Sequence, residues 1–106
     1  MDIELRKIKD EDGIRELIAR FKENGDIVFD GWDLGKGVEK CLGSREYEWT
    51  WTIKAVDVPI LERALDSDLP LAEAVQQRFA GDRAGEVLDF LESKNIPFES
   101  WHRIGD

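Results

Sequence analysis

The sequence has few of the residues that build reactive or cross-linked sites. Its 106 residues include one cysteine, one histidine and one methionine. A single cysteine, Cys41, excludes an internal disulfide and fits a reducing compartment. The only histidine, His102, lies 61 residues further along the chain. A clustered metal site therefore lacks its usual nitrogen and sulfur ligands, and we expect neither a metal nor a cofactor.

Long apolar runs are also missing. No stretch has the roughly 20 apolar residues that a membrane-spanning helix needs. The first residues, Met1 to Arg6, do not show the basic and apolar regions of a signal peptide. We therefore expect a cytoplasmic protein that does not associate with membranes.

Basic residues are outnumbered, with 15 Lys and Arg against 24 Asp and Glu and a formal net charge of -9. Such a chain is repelled by phosphates, which argues against a nucleic-acid partner. It is attracted to basic proteins by long-range steering. The alternative interpretation is that the acidity only maintains solubility.

The clearest local pattern is the alternation between Glu46 and Lys54. Tyr47, Trp49, Trp51 and Ile53 fall on one side of it, with glutamates, threonines and Lys54 on the other. A period of two predicts a strand with one buried and one solvated face.

Similar reasoning gives the other elements of the first half. Strands are predicted at 3–6 and 27–29, and an irregular glycine-containing loop at 30–37. Another strand is predicted at 38–42, followed by a Gly43-Ser44 turn. Between the first two strands, Ile14, Leu17, Ile18 and Phe21 have helical spacing, and Asn24-Gly25 would end that helix.

The second half is predicted to be mainly helical. Asp57 would cap a helix opened by Val58-Pro59, Pro70 would start the next, and Val87, Leu88 and Leu91 mark a third. A last strand is predicted from Ile96 to Trp101. The chain is thus expected to be one α+β domain, residues 1–106, with a mainly antiparallel sheet and helices packed on one face.

Two arrangements could support catalysis. Cys41 and His102 could form a nucleophile pair. Glu46 and Glu48 could act as paired carboxylates. In each case the ordinary role, a buried thiol or solvated strand-face acids, explains the residues as well. We therefore predict no catalytic residues and no enzyme activity.

A partner-binding surface is the favoured prediction. Trp32 lies in the predicted loop between Asp30 and Asp33, and an aromatic anchor beside charges is typical of interface hot spots. A meander would bring this loop close to the strand that carries Glu46 and Glu48. These five residues are the predicted site, and the acidic segment 57–73 is the second choice.

The second half of the chain also resembles a known group of proteins. The residues that carry the resemblance are the Tyr/Trp-rich strand, Val56-Asp57-Val58-Pro59, the Arg78–Asp82 junction and Asn95 to Trp101. This pattern resembles small acidic bacterial immunity proteins of polymorphic and contact-dependent growth inhibition toxin systems. The resemblance implies an inhibitor that binds one cognate toxin domain, such as a basic nuclease, and occludes its active or substrate-binding site.

Two other functions remain open at this point. One is a protein-interaction or regulatory module that forms a homodimer through an edge strand. The other is a small enzyme that uses Glu46 and Glu48.

Overall fold

The computed structural model describes residues 1–35 and 46–105. The predicted strand at 38–42 and the Gly43-Ser44 turn lie outside these residues, as does Cys41. Within them the chain forms strands β1 to β4, then three α-helices, then β5. Their bounds are β1 Asp2–Asp10, β2 Gly13–Phe21, β3 Ile27–Leu34, β4 Glu46–Ile53, α1 Val58–Leu65, α2 Leu71–Phe79, α3 Val87–Ser93 and β5 Glu99–Gly105.

The strands of the described residues form one five-stranded sheet in the order β1-β2-β3-β4-β5, and every neighbouring pair is antiparallel. The helices are inserted between β4 and β5. Short 3₁₀ segments, Ala55–Asp57 and Gly81–Glu86, precede α1 and α3. The predicted α+β class with a mainly antiparallel sheet is therefore confirmed, as are the strands predicted at 3–6, 27–29 and 46–54, the last of which ends at Ile53.

The helix predicted at 14–21 is wrong, because this segment is the strand β2. Its residues also fit a period of two, with Leu17 and Ala19 buried on one side. Both ends are hairpin turns: Asp10 pairs with Gly13 across a two-residue turn, and Gly25 lies in the β2–β3 turn with a φ of 95°. The apolar residues of this segment fit a helix as well as a strand, and its pairing with β1 and β3 decides in favour of the strand.

Two further boundaries and one helix cap differ from prediction. Residues 30–34, predicted as loop, continue β3 because they pair with β4 as far as Leu34. The last strand begins at Glu99 rather than Ile96, and Pro97 precedes it. Asp57 occupies the N-cap position of α1, but its side chain forms no capping hydrogen bond.

The sheet has two unlike faces. We call the face that packs against the helices the helix-side face. Leu17, Ala19, Phe29 and Ile53 on this face are buried, and they join a core with helical side chains. The helical members of that core are Val58, Leu61, Val75, Phe79, Val87, Phe90 and Leu91.

Aromatic rings connect the layers of this core. Phe79 of α2 meets Phe29 of β3 edge-on at 6.2 Å between ring centroids, and it meets Phe90 of α3 at 5.3 Å. Arg78 lies over the rings of Phe79 and Phe90, with its guanidinium carbon 5.0 and 5.2 Å from their centroids. The helices are thus held on one face of the sheet, as predicted.

The opposite face of the sheet, which we call the open face, is covered by none of the helices that the structure describes. Strand register assigns its side chains, because residues paired across strands share a face. The ionisable members are seven acids and four bases, a local net charge of -3: Asp2, Glu4, Glu16, Asp30, Glu46, Glu48, Glu99, Lys7, Lys9, Arg20 and Arg103.

Trp49 depends on a glycine in the neighbouring strand. Gly31 pairs with Trp49, and a Cβ at Gly31 would meet the Trp49 ring. The indole can therefore lie flat over the glycine, where Trp49 is only 8% exposed. This close approach explains why glycine is found inside a central strand.

Gly31→Ala should displace the Trp49 ring and destabilise the fold by about 1–3 kcal/mol, the usual cost of overpacking. Urea unfolding followed by tryptophan fluorescence measures the change. Gly85→Ala is the matched control, since a Cβ there meets no atom within 4 Å. Equal stability of the two variants would contradict this packing.

Candidate functional site

Trp32 lies at the centre of the open face. It belongs to β3 rather than to a loop, so its backbone is held by strands on both sides. It pairs with Glu16 of β2 and with Glu48 of β4. Glu46 and Asp30 lie on the same face, paired with Leu34 and Thr50. Four of the five predicted site residues, Asp30, Trp32, Glu46 and Glu48, are thus brought together.

Arg103 of β5 holds the two glutamates in place. Its Nη2 donates to Glu46 Oε1 at 3.1 Å and to Glu48 Oε1 at 2.8 Å. The hydrogen bond to Glu48, followed by the charges of the two glutamates, raises the pKa of Arg103. The Trp32 Nε1 donates to the other oxygen of Glu46 at 3.2 Å. The two glutamates were predicted on the solvated face of the strand, and the structure adds partners for them that the sequence did not indicate.

Asp30 is held by a second arginine. Arg20 Nε donates to Asp30 Oδ2 at 3.0 Å, and Arg20 Nη1 donates to Asp2 Oδ2 at 2.7 Å. The hydrogen bond to Asp30 outweighs partial burial and raises the pKa of Arg20. Strands β1, β2 and β3 are therefore linked across the open face by one guanidinium group.

Glu16 is the carboxylate of the open face beside Trp32 that forms no ion pair with any described residue. It borders a shallow depression of about 330 Å³. The side chains that line this depression are Glu16, Ile18, Arg20, Asp30, Trp32 and Glu48. A cation entering it would meet Glu16 without having to displace an arginine already bound there.

Asp33 does not belong to this cluster. It pairs with Arg15 and Tyr47 on the helix-side face, because neighbouring residues of a strand point to opposite sides. Its Oδ1 is buried and has no hydrogen-bond partner. Burial raises the pKa of Asp33, and the nearby charges of Arg6 and Arg15 only partly oppose this. Because residues 30–37 are predicted as a loop, the sequence does not assign Asp33 and Trp32 to opposite faces of a strand.

Sequence reasoning missed Glu16, Arg20 and Arg103. The first two lie in the segment that the sequence predicts as a helix, and the third lies beyond the predicted end of the last strand. The Asp12-Gly13 turn signal, combined with the alternation of Leu17, Ala19 and Phe21, could have identified β2 and its open-face side chains.

The second-choice acidic segment, 57–73, lies in the helical layer, across the sheet from Trp32. Glu62, Asp66, Asp68 and Glu73 are exposed there. Among the described residues, no group of three His, Cys, Asp or Glu side chains could hold a metal ion.

Comparison with known proteins gives no relative: no family model, curated protein or solved structure matches the chain. In the part of the chain that the structure describes, no helix combines the length and apolar character needed to cross a membrane.

Asp33→Asn should stabilise the protein at neutral pH, because it removes a carboxylate whose ionised form is disfavoured by burial. A raised pKa means that the folded protein binds this proton more tightly than the unfolded chain. The contribution of protonated Asp33 to the free energy of unfolding of the wild type is therefore present at low pH, and it is lost as the pH rises through the pKa of Asp33 in the folded protein. The free energy of unfolding of Asp33→Asn should therefore exceed that of the wild type by an amount that grows over this pH range.

Urea unfolding between pH 3 and pH 7 measures this difference. Asp68→Asn, at an exposed position between α1 and α2, is the matched control for the loss of charge. A pH-independent difference between Asp33→Asn and the wild type would show that burial does not perturb this carboxylate.

Proposed function

We propose that this protein is an immunity protein, which binds a basic toxin domain through the open face and blocks its active or substrate-binding surface. The observation that carries the proposal is the position of Trp32, a half-buried aromatic side chain in a row between Glu16 and Glu48. An apolar centre with a charged surround is the usual composition of an interface hot spot.

The charge of the open face suits a cationic partner. Lys and Arg side chains of a toxin can donate to the carboxylates that surround Trp32, and such charge-assisted hydrogen bonds are the stronger kind. Glu16 offers the most, because its carboxylate has no competing ion pair among the described residues. A nuclease must carry a basic surface to bind phosphates, so the same surface would accept this face.

The arginines of the open face reduce the cost of binding. Arg20 and Arg103 hold Asp30, Glu46 and Glu48 in defined positions before a partner arrives. Less side-chain freedom is then lost on association, which favours affinity. The hydrogen bond from Trp32 to Glu46 restrains the indole in the same way.

The same surface supports binding more than catalysis. A small enzyme would use Glu46 and Glu48, yet both carboxylates accept hydrogen bonds from Arg103. The Nη2 atom of Arg103 thus bonds to both carboxylates at the place where the substrate of such an enzyme would have to bind.

Co-expression with the toxin tests the proposal. The toxin candidate is the product of the gene directly upstream, expressed in a sensitive bacterial host. The wild type should restore growth, and Trp32→Ala should lose most of the protection because it removes the apolar centre of the interface. Circular dichroism confirms that the variant is folded.

Val56→Ala is the matched control, since Val56 is an apolar residue that is 82% exposed and precedes α1. It should protect as well as the wild type. Growth restored equally by Trp32→Ala would remove the open face from the interface. Failure of the wild type to protect against that toxin would contradict the proposed function.

A further inference from the structure

The last strand presents an unusually accessible edge. Among the described residues β5 pairs with β4 alone, and Glu99 to Ile104 are all exposed. Trp101 is 51% exposed on the open face, and Ile104 is 50% exposed on the helix-side face. Exposed edge strands present unpaired backbone groups to other chains, and proteins usually protect them.

The opposite edge shows such protection. β1 has a bulge between Glu4 and Arg6, where Leu5 turns into the core and is 3% exposed. It also carries Lys7 and Lys9, and edge lysines discourage pairing. β5 has a regular register with β4 over its whole length. The two edges therefore differ in a way that marks β5 as the pairing edge.

We propose that β5 pairs with β5 of a second copy of this chain, antiparallel about a twofold axis at Trp101. This symmetry sets the register. Trp101 faces Trp101 of the second copy, and Glu99 faces Arg103 of the second copy, twice, all on the open face. On the helix-side face, Ser100 meets His102.

This register is the self-complementary one. It unites two exposed aromatics and two opposite-charge pairs, both of which favour cross-strand pairing, and it places each Ser100 hydroxyl opposite a His102 imidazole. Moving the axis to His102 would place Glu99 against Gly105 and Ile104 against Ser100. Moving it to Ser100 would place Glu99 against Trp101. Neither of these registers forms an ion pair between the two strands.

Electrostatics permits the contact despite the net charge of -9. The formal charges within β5, those of Glu99 and Arg103, cancel. Both existing bonds of Arg103 use its Nη2 atom, which leaves Nε and Nη1 to donate to Glu99 of the second copy. Glu99 already binds Lys54 at 3.1 Å, and a carboxylate accepts several hydrogen bonds.

The dimer would be weak, because one strand pair buries less surface than a stable interface requires. It would extend the sheets of both copies into one, with the two open faces on the same side. A dimeric toxin, or two toxin domains, could then be bound together. Self-association is measured on the protein alone, so its outcome does not depend on the proposed toxin.

Reversing the charge at Glu99 or at Arg103, which face each other across the proposed dimer contact, tests the register. In Glu99→Arg an arginine faces Arg103 of the second copy twice, and in Arg103→Glu a glutamate faces Glu99 twice. Sedimentation velocity over a concentration series should show that each variant alone associates at least about tenfold more weakly than the wild type. Mixing the two variants should restore association, because every facing pair is then opposite in charge.

Two more variants complete the test. Trp101→Thr keeps a residue that favours strands but removes the aromatic pair, so it should weaken the dimer. Ile8→Thr, on the other edge where Ile8 is 38% exposed, should leave it unchanged. Circular dichroism of each variant checks the fold.

A wild type that stays monomeric at the highest soluble concentration would overturn the proposal. Mixed variants that stay monomeric would also overturn it. If Glu99→Arg and Trp101→Thr each dimerise as strongly as the wild type, the contact lies elsewhere, for example on the β1 edge, and the proposal is overturned.

Discussion

One-sided burial of the sheet is the constraint on which the structure depends. Leu17, Ala19, Phe29 and Ile53 point to the same side, and the helices cover that side. Because strand side chains alternate, the same backbone must present an equal row on the other side. One side of the sheet therefore forms part of the core, and the other side forms the open face. A shift of the strand register by one residue would exchange the side chains of the two faces and disrupt both.

Pairing between strands that are distant in sequence brings the residues of the candidate site together. Glu16, Trp32, Glu48 and Arg103 come from four strands, and they form one row because the strands are in register. The ion pairs of Arg20 and Arg103 are partly exposed, and exposed pairs contribute little to stability. Their larger effect is positional, since they order the carboxylates that a cationic partner would contact.

The sequence predicts elements whose pattern is unambiguous. The alternation of β4 and the Pro59 start of α1 are both found in the structure. The sequence predicts β2 as a helix because Ile14, Leu17, Ile18 and Phe21 have helical spacing. The same segment also alternates at Leu17, Ala19 and Phe21, and only pairing with neighbouring strands decides between the two. The glycines at 31 and 35 suggested a loop, whereas Gly31 makes room for the Trp49 ring.

These local errors explain the partial prediction of the site. Glu46 and Glu48 are predicted together because the alternation of β4 is unambiguous, and Asp30 and Trp32 join them because a meander places their segment near β4. Asp33 was grouped with them because a loop imposes no alternation, whereas β3 places it on the helix-side face. Arg103 could not be linked to Glu46 and Glu48 from sequence, since 55 or more residues separate it from them and only the pairing of β4 with β5 joins them.

The most direct measurement compares two charge reversals by calorimetric titration against the purified toxin domain. Glu48→Lys lies on the open face and Glu73→Lys lies on α2, and both change the net charge by the same amount. Binding through the open face predicts that Glu48→Lys weakens affinity at least tenfold, about 1.4 kcal/mol, while Glu73→Lys changes it by less than about threefold. The reverse order would place the interface on the helical layer and contradict the open face as the binding surface.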